Sequence, residues 1–182
     1  MLDRQPVLHD ARVLLRPLRD DDWGALFAAA CDPLIWAQHP APDRWQEPVF
    51  RAFFDDALAG GGALIAIDRA TGAAIGSSRF QGLETVHGGS VEIGWTFLVR
   101  ACWGGGCNHA IKRLMLSHAL ASVAECRFLV GETNTRSRRA LEAIGARLSD
   151  RAEERVMAGG EVVPHRTYVI TRADFAHGPL AQ

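Results

Sequence analysis

The sequence predicts one mixed domain, spanning residues 1–182, in which strands and helices alternate along the chain. Three observations carry that prediction. At 182 residues the chain is long enough for one ordinary core and short for two. Short apolar runs of strand character recur between segments whose apolar residues keep helical spacing. Two places read as hairpins, and a glycine run separates a long strand from an amphipathic helix.

The elements follow in order. "ARVLLRPL" (11–18) reads as a strand ended by Pro17. "RDDDWGALFAAACDP" (19–33) opens with acidic residues, which suit the positive end of a helix, and places Trp23, Leu26, Phe27 and Ala30 at helical spacing. The stretch 34–48, with Pro40, Pro42 and Pro48 and no clean period, reads as a structured loop. A second helix runs from Pro48 to about Ala59, with proline at its first position and "GGG" (60–62) after it. "ALIAID" (63–68), the turn "RATG" and "AAIGSSRFQG" (73–82) form a hairpin, and "GGSVEIGWTFLV" (88–99) is a long third strand. A helix from about Asn108 to Val123 sets Ile111, Leu114, Met115, His118 and Val123 along one face. "CRFLVGET" (126–133) is a strand. "NTRSRRALEAIG" (134–145) is a short helix with Asn134 or Thr135 as cap and Gly145 just past its end. "ERVMAGGEVVPHRTYVIT" (154–171) reads as a closing hairpin turning at "AGG".

Composition narrows the function classes. Twenty basic against twenty-one acidic residues leave a net charge of -1, which gives no bulk attraction to nucleic acid or to an anionic membrane. "NTRSRR" (134–139) is the one local basic candidate. No segment approaches the roughly 18 uninterrupted apolar residues of a membrane span, and "MLDRQPVLHD" lacks the layout of a secretory signal. Cys31, Cys102, Cys107 and Cys126 follow no disulfide spacing, so free thiols and a cytoplasmic location are expected.

Gly104, Gly105 and Gly106 carry the chemistry. Glycine costs conformational entropy, so a run of it has a reason. Amides at a helix start lack intrahelical partners and sit at the positive end of the macrodipole, and bare glycines let a phosphate approach them. Gly104 to Gly106, followed by Cys107, Asn108 and His109, read as a phosphate cradle; a tight turn needing only positive φ is the plainer reading. A Walker A loop would end in Gly-Lys-Ser/Thr, whereas here Gly106-Cys107-Asn108 stands. A dinucleotide fingerprint needs a glycine where His109 stands.

The order of elements, with "EIGWTFLVRACWGGGCNHAIKRLMLSHA" (92–119) and "ETNTRSRRALEAIGA" (132–146), resembles the GNAT superfamily of acyl-CoA-dependent N-acyltransferases. "LLRPLRDDDWGALF" (14–27) and "RTYVIT" are similar to its ribosomal-protein N-terminal (Rim-like) acetyltransferase branch, and the resemblance runs from about Ala11 to Arg172. It implies an α+β GNAT fold: a mixed, mostly antiparallel central sheet flanked by helices, with a splayed strand before the glycine loop. It also implies acetyl-CoA as co-substrate, no metal, and direct transfer to a primary amine, either a protein N-terminus or a small molecule. A homodimer is allowed, not required. The loop departs from the family's Gln/Arg-x-x-Gly-x-Gly/Ala at two places, with Trp103 where Gln or Arg is common and Asn108 where Gly or Ala is common. Gly106 holds the central glycine.

Residue roles follow from the same resemblance together with elementary chemistry. The transfer needs a deprotonated amine, a polarised thioester and a protonated leaving thiolate. Glu92, on the long strand ahead of the loop, is the candidate base; an ordinary strand carboxylate paired with an arginine is the alternative. If Ile93, Trp95, Phe97 and Val99 share one face by alternation, Glu92 and Gly94 share the other. Phe97, Leu98 and Val99 are expected to meet the pantetheine arm. Trp103, Gly104, Gly105, Gly106, Cys107 and Asn108 are expected at the pyrophosphate. Ser137 is the candidate acid and a cofactor contact, with Asn134, one helical turn away, as a cofactor-orienting amide; capping alone also explains Asn134. Tyr168, the only tyrosine, is the second choice of acid. Trp36, His39 and Trp45 are candidates for the acceptor wall, with core cover as the alternative.

Two rivals belong to other classes. Cys107 near a helix N-terminus suggests a thiol nucleophile, but no oriented base partners it, and Cys102, Cys107 and His109 match no metal-ligand spacing. A non-catalytic acyl-CoA-binding domain of the same fold is the nearer alternative.

Overall fold

Apolar faces from both ends of the chain meet on the two sides of one sheet. The computed structural model describes residues 1–156 and 160–181. Its strands are β1 (Leu8–His9), β2 (Val13–Pro17), β3 (Ala63–Asp68), β4 (Ala74–Glu84), β5 (Ser90–Leu98), β6 (Glu125–Gly131), β7 (Arg147–Val156) and β8 (Val162–Thr171). Its helices are α1 (Trp23–Ala30), α2 (Pro33–Trp36), α3 (Glu47–Gly60), α4 (Cys107–Leu120), α5 (Thr135–Ala143) and α6 (Arg172–His177). The strands form one sheet in the order β1-β2-β3-β4-β5-β6-β8-β7. Every pairing is antiparallel except β5 with β6, which run parallel.

One face of the sheet packs on α4. Leu64, Phe80, Val91 and Ile93 meet Ile111, Met115 and Leu116 there, all essentially buried. On the other face Ile65 and Phe97 meet Leu26 of α1 and Phe50 and Phe54 of α3. Burying side chains of this size stabilises by about 1.5–3 kcal/mol each, so the two layers fix where β5 can lie.

Local signals set the helix ends. Pro48 stands in the first turn of α3 and Gly61 ends it in the left-handed region, at φ 59°. Asn134 caps α5 by accepting from the Ser137 amide at 3.2 Å. Within the loop expected at 34–48 the chain first makes α2, whose Asp32 side chain accepts from the Leu34 amide with Pro33 at the first position. One helical turn is too short to show a period. The closing hairpin begins at Arg147, not 154. Its "AGG" turn falls largely outside the described residues, with Gly160 at φ 82°.

The expected alternation along β5 fails after Ile93. Trp95 takes φ 55°, rare for a residue with a side chain, and the register with β4 shifts between Ser77 and Arg79. Ile93 therefore packs in the α4-side core, whereas Phe97, and in part Trp95, pack in the α3-side core. The bulge turns Thr96 toward α4 and leaves Glu92 and Trp95 on the opposite face.

Candidate active site

Parallel pairing of β5 and β6 lasts for three residues, Ser90 to Glu92 against Glu125 to Arg127. Beyond Glu92 the strands part, and the β6-facing edge of β5 has no strand to bond. Main-chain donors and acceptors without partners are costly when dry, and they invite an extended ligand. The opening is a cleft of about 490 Å³, within the range of small-molecule sites.

Glu92 stands at the apex. Its carboxylate is buried, and Oε2 accepts from Arg155 Nη2 at 2.6 Å and from Gln81 Nε2 at 2.9 Å. Gln81 Oε1 in turn accepts from Trp95 Nε1 at 2.5 Å. The other oxygen, Oε1, lies over Gly94, where an added Cβ would come within 2.7 Å of it. It has no hydrogen-bond partner among the described residues. One oxygen is clamped, and the other faces the cleft that Glu92 and Gly94 line.

The glycine loop forms one end of the cleft. Gly106 is the N-cap of α4 with φ 83°, and no side chain caps the helix, so its first amides stay open. A Cβ at Gly106 would approach Arg12 Nη1 to 2.9 Å. Arg12 Nη1 donates to the Gly105 carbonyl and ties the loop to the β1–β2 turn. Gly104, Gly106 and Asn108 line the cleft; Gly105 and Cys107 lie outside it, the latter buried beside Cys102. Burial pushes the Cys102 thiol up to about 12, with the hydrogen bond to Cys107 adding to it, so Cys102 is a poor nucleophile. Bare glycines, open amides and an enclosed groove fit a pyrophosphate and its pantetheine arm.

The remaining candidates divide. Phe97 and Leu98 line the cleft; Val99 does not, and its amide donates to the Ile75 carbonyl. The Leu98 carbonyl accepts from Trp103 Nε1 at 3.1 Å, which fills one of its two acceptor positions. Trp103 also carries the Arg136 guanidinium 4.2 Å from its ring centroid, and Arg136 donates to the Ile35 carbonyl at 2.6 Å, bracing the mouth. Asn134 and Ser137 both line the cleft. Asn134 spends its oxygen on the cap, whereas the Ser137 hydroxyl has no partner among the described residues.

Tyr168 lies elsewhere. Its hydroxyl is buried behind α5, donating to Glu142 at 2.8 Å and accepting from Arg138 at 3.2 Å, so it does not face the cleft. Trp36 and His39 line the cleft and Trp45 does not; it is exposed on the turn before α3. Trp36 is also core, and its indole donates to the Ala30 carbonyl at 2.8 Å. His39 accepts from the Ala41 amide through Nδ1. Burial, with Arg44 beside it, pulls its pKa down to about 3, so the ring is neutral at pH 7 and a weak base.

Thr96, Lys112, Arg136, Arg155 and His165 are polar cleft residues that the sequence reading did not assign to the site. Arg155 and His165 come from the closing hairpin and carry no motif. Among the described residues there is no group of three or more His, Cys, Asp or Glu that could hold a metal ion.

With this geometry in place, comparison with known proteins identifies the class. The acetyltransferase (GNAT) domain family matches residues 12–147, and the chain belongs to that family. No curated protein matches the sequence. Among solved structures, a GCN5-related N-acetyltransferase from Brucella melitensis is 18% identical, with TM-score 0.78 over 94% of this chain and 80% of that one. An acetyltransferase (GNAT family) from Bacillus anthracis is 19% identical, with TM-score 0.73 over 91% and 98%. Mycobacterium smegmatis RimJ, solved in complex with CoA-disulfide, is 18% identical, with TM-score 0.73 over 100% and 95%. At these identities the three share the fold with this chain. The α+β architecture with its splayed parallel pair is that of the family.

Proposed function

We propose that the whole chain is one acyl-CoA N-acyltransferase domain. It moves the acetyl group of acetyl-CoA directly to a primary amine, of a protein N-terminus or a small molecule, with both substrates bound together. One observation carries the reading: the strands part immediately after Glu92, placing its free oxygen at the apex of a groove whose other end is the glycine loop. The open amides of α4 and the bare glycines hold the pyrophosphate, and the unpaired edge of β5 from Phe97 takes the pantetheine arm. Acetyl-CoA supplies an activated thioester. Glu92 Oε1 receives the amine proton, directly or through one water, and the Ser137 hydroxyl protonates the departing sulfur. Trp36 and His39 wall the acceptor side.

Near-neutral net charge, together with the absence among the described residues of any helix long and apolar enough to cross a membrane, supports a small-molecule or peptide acceptor over nucleic acid or lipid. Four free thiols support a cytoplasmic setting. Thiol release from acetyl-CoA across a panel of amines, amino acids and N-terminal peptides checks the proposal. At least one amine is expected to raise release well above the rate without acceptor. A thermal shift with acetyl-CoA but no thiol from any amine would instead mark a binding domain.

A further inference from the structure

Of the 20 lysine and arginine residues, 19 are arginine and Lys112 is the single lysine. A guanidinium stays charged in proteins, whereas a lysine amine can give up its proton when buried. The one side chain with that ability is not on the surface. Lys112 is only 4% exposed, in the second turn of α4 beyond the glycine loop. It reaches the cleft from the α4 face, opposite Glu92.

Its surroundings are uncharged. Nζ lies 2.7 Å from Thr96 Oγ1 of β5 and 3.4 Å from Ser78 Oγ of β4, with the Phe128 ring of β6 5.6 Å away. The nearby Cys126 thiol of β6 is itself pushed up to about 12, chiefly by burial. No carboxylate pairs with the amine among the described residues. Burial pulls the Lys112 pKa down to about 7, so a large fraction is neutral near pH 8. A lysine that merely filled space here would keep the desolvation cost without a counter-ion, and a leucine or methionine would avoid it.

We infer that Lys112 is an internal acyl acceptor, an amine built into the cleft wall that takes the acetyl group from bound acetyl-CoA. This rests on reading the cleft as the acetyl-CoA site. The balance is simple: the neutral Nζ attacks the thioester carbon, an N–C bond forms and the C–S bond breaks. The proton lost by nitrogen goes to the departing sulfur. The products are Nζ-acetyl-Lys112 and CoA, with no further reactant. The product amide carries no charge and suits a site with hydroxyl partners and no counter-ion.

The experiment incubates the full chain with acetyl-CoA and no acceptor at pH 8, maps acetylation by peptide mass spectrometry, and measures acetyl-CoA binding calorimetrically in parallel. Hydroxylamine treatment removes thioesters on the four cysteines and spares amides. The expected result is a hydroxylamine-resistant acetyl group on Lys112. It should form roughly a hundredfold or more faster than in the urea-unfolded chain, because a fixed amine beside the thioester gains effective molarity. Lys112→Arg should lose the adduct, and a failure of that variant to fold leaves the wild-type map decisive. Binding without modification of Lys112, or modification no faster than in the unfolded chain, overturns the inference alone. Absence of acetyl-CoA binding overturns it together with the proposed function.

Discussion

Glu92→Gln is expected to lower kcat for acetyl transfer by roughly 10²–10⁴, the usual span for a lost general base, while leaving acetyl-CoA affinity nearly unchanged. The geometry makes the substitution clean. Both hydrogen bonds to Glu92 fall on Oε2, from Arg155 and Gln81. A glutamine that places its oxygen there keeps both and presents its NH₂ at the Oε1 position over Gly94. The proton-accepting atom is replaced by a donor, and the scaffold around it stays. Arg155 loses its charged partner, so some destabilisation follows, and thermal unfolding in parallel separates this from the catalytic loss. Steady-state kinetics with whichever amine the panel identifies gives the test. A kcat within about threefold of wild type would mean that Glu92 is a structural ion pair and the amine loses its proton elsewhere.

Gly76→Ala has the largest expected effect on the fold. Gly76 pairs with Leu98 across β4 and β5 and has φ 149°. A Cβ there would lie 2.0 Å from the Phe97 carbonyl oxygen and 3.0 Å from Leu98 Cδ2. Backbone against backbone gives no flexible end to move, so β5 must shift at the residues that wall the cleft. Close contact plus the strained φ is expected to cost about 3 kcal/mol or more. For a chain of this length that lowers the unfolding midpoint by roughly 10 °C, and acetyl-CoA affinity should fall with it. Calorimetric unfolding measures the first and titration the second; an unchanged midpoint would show that β4 and β5 can separate freely at this point.

The parts of this fold that were legible are those with local causes. Asn134 caps a helix, Gly145 follows it at φ 87°, and Gly61 ends α3, each through a short-range rule that the residue type announces. The glycine loop was legible for the same reason, because a strand, bare glycines and an amphipathic helix are contiguous. What depends on distant partners was not. The bulge at Trp95 is set by how β4 meets β5, and it swaps the faces that alternation assigns, placing Thr96 with Lys112. Arg155 joins Glu92 across 63 residues. Lys112 sits beside Ile111 on α4, where an amphipathic pattern treats a lysine as solvent-facing, and only the parting of β5 from β6 makes room for it inside. Trp45 shows the converse: an aromatic in a proline-rich turn, which the sequence reads as core cover before acceptor wall, faces solvent.

The central claim is that acetyl-CoA binds along the glycine loop and the open edge of β5. Titration of acetyl-CoA into the wild-type protein and into a folded Gly106→Trp variant tests it most directly. The variant fills the loop and forces a side chain onto a residue at φ 83°, where an added Cβ would meet Arg12 Nη1 at 2.9 Å. The account predicts micromolar binding to the wild type and a loss of roughly a hundredfold or more in the variant, as expected when open helix amides are denied an anion. Equal affinity in the two proteins, or no binding to a wild type shown to be folded and free of CoA, would contradict it.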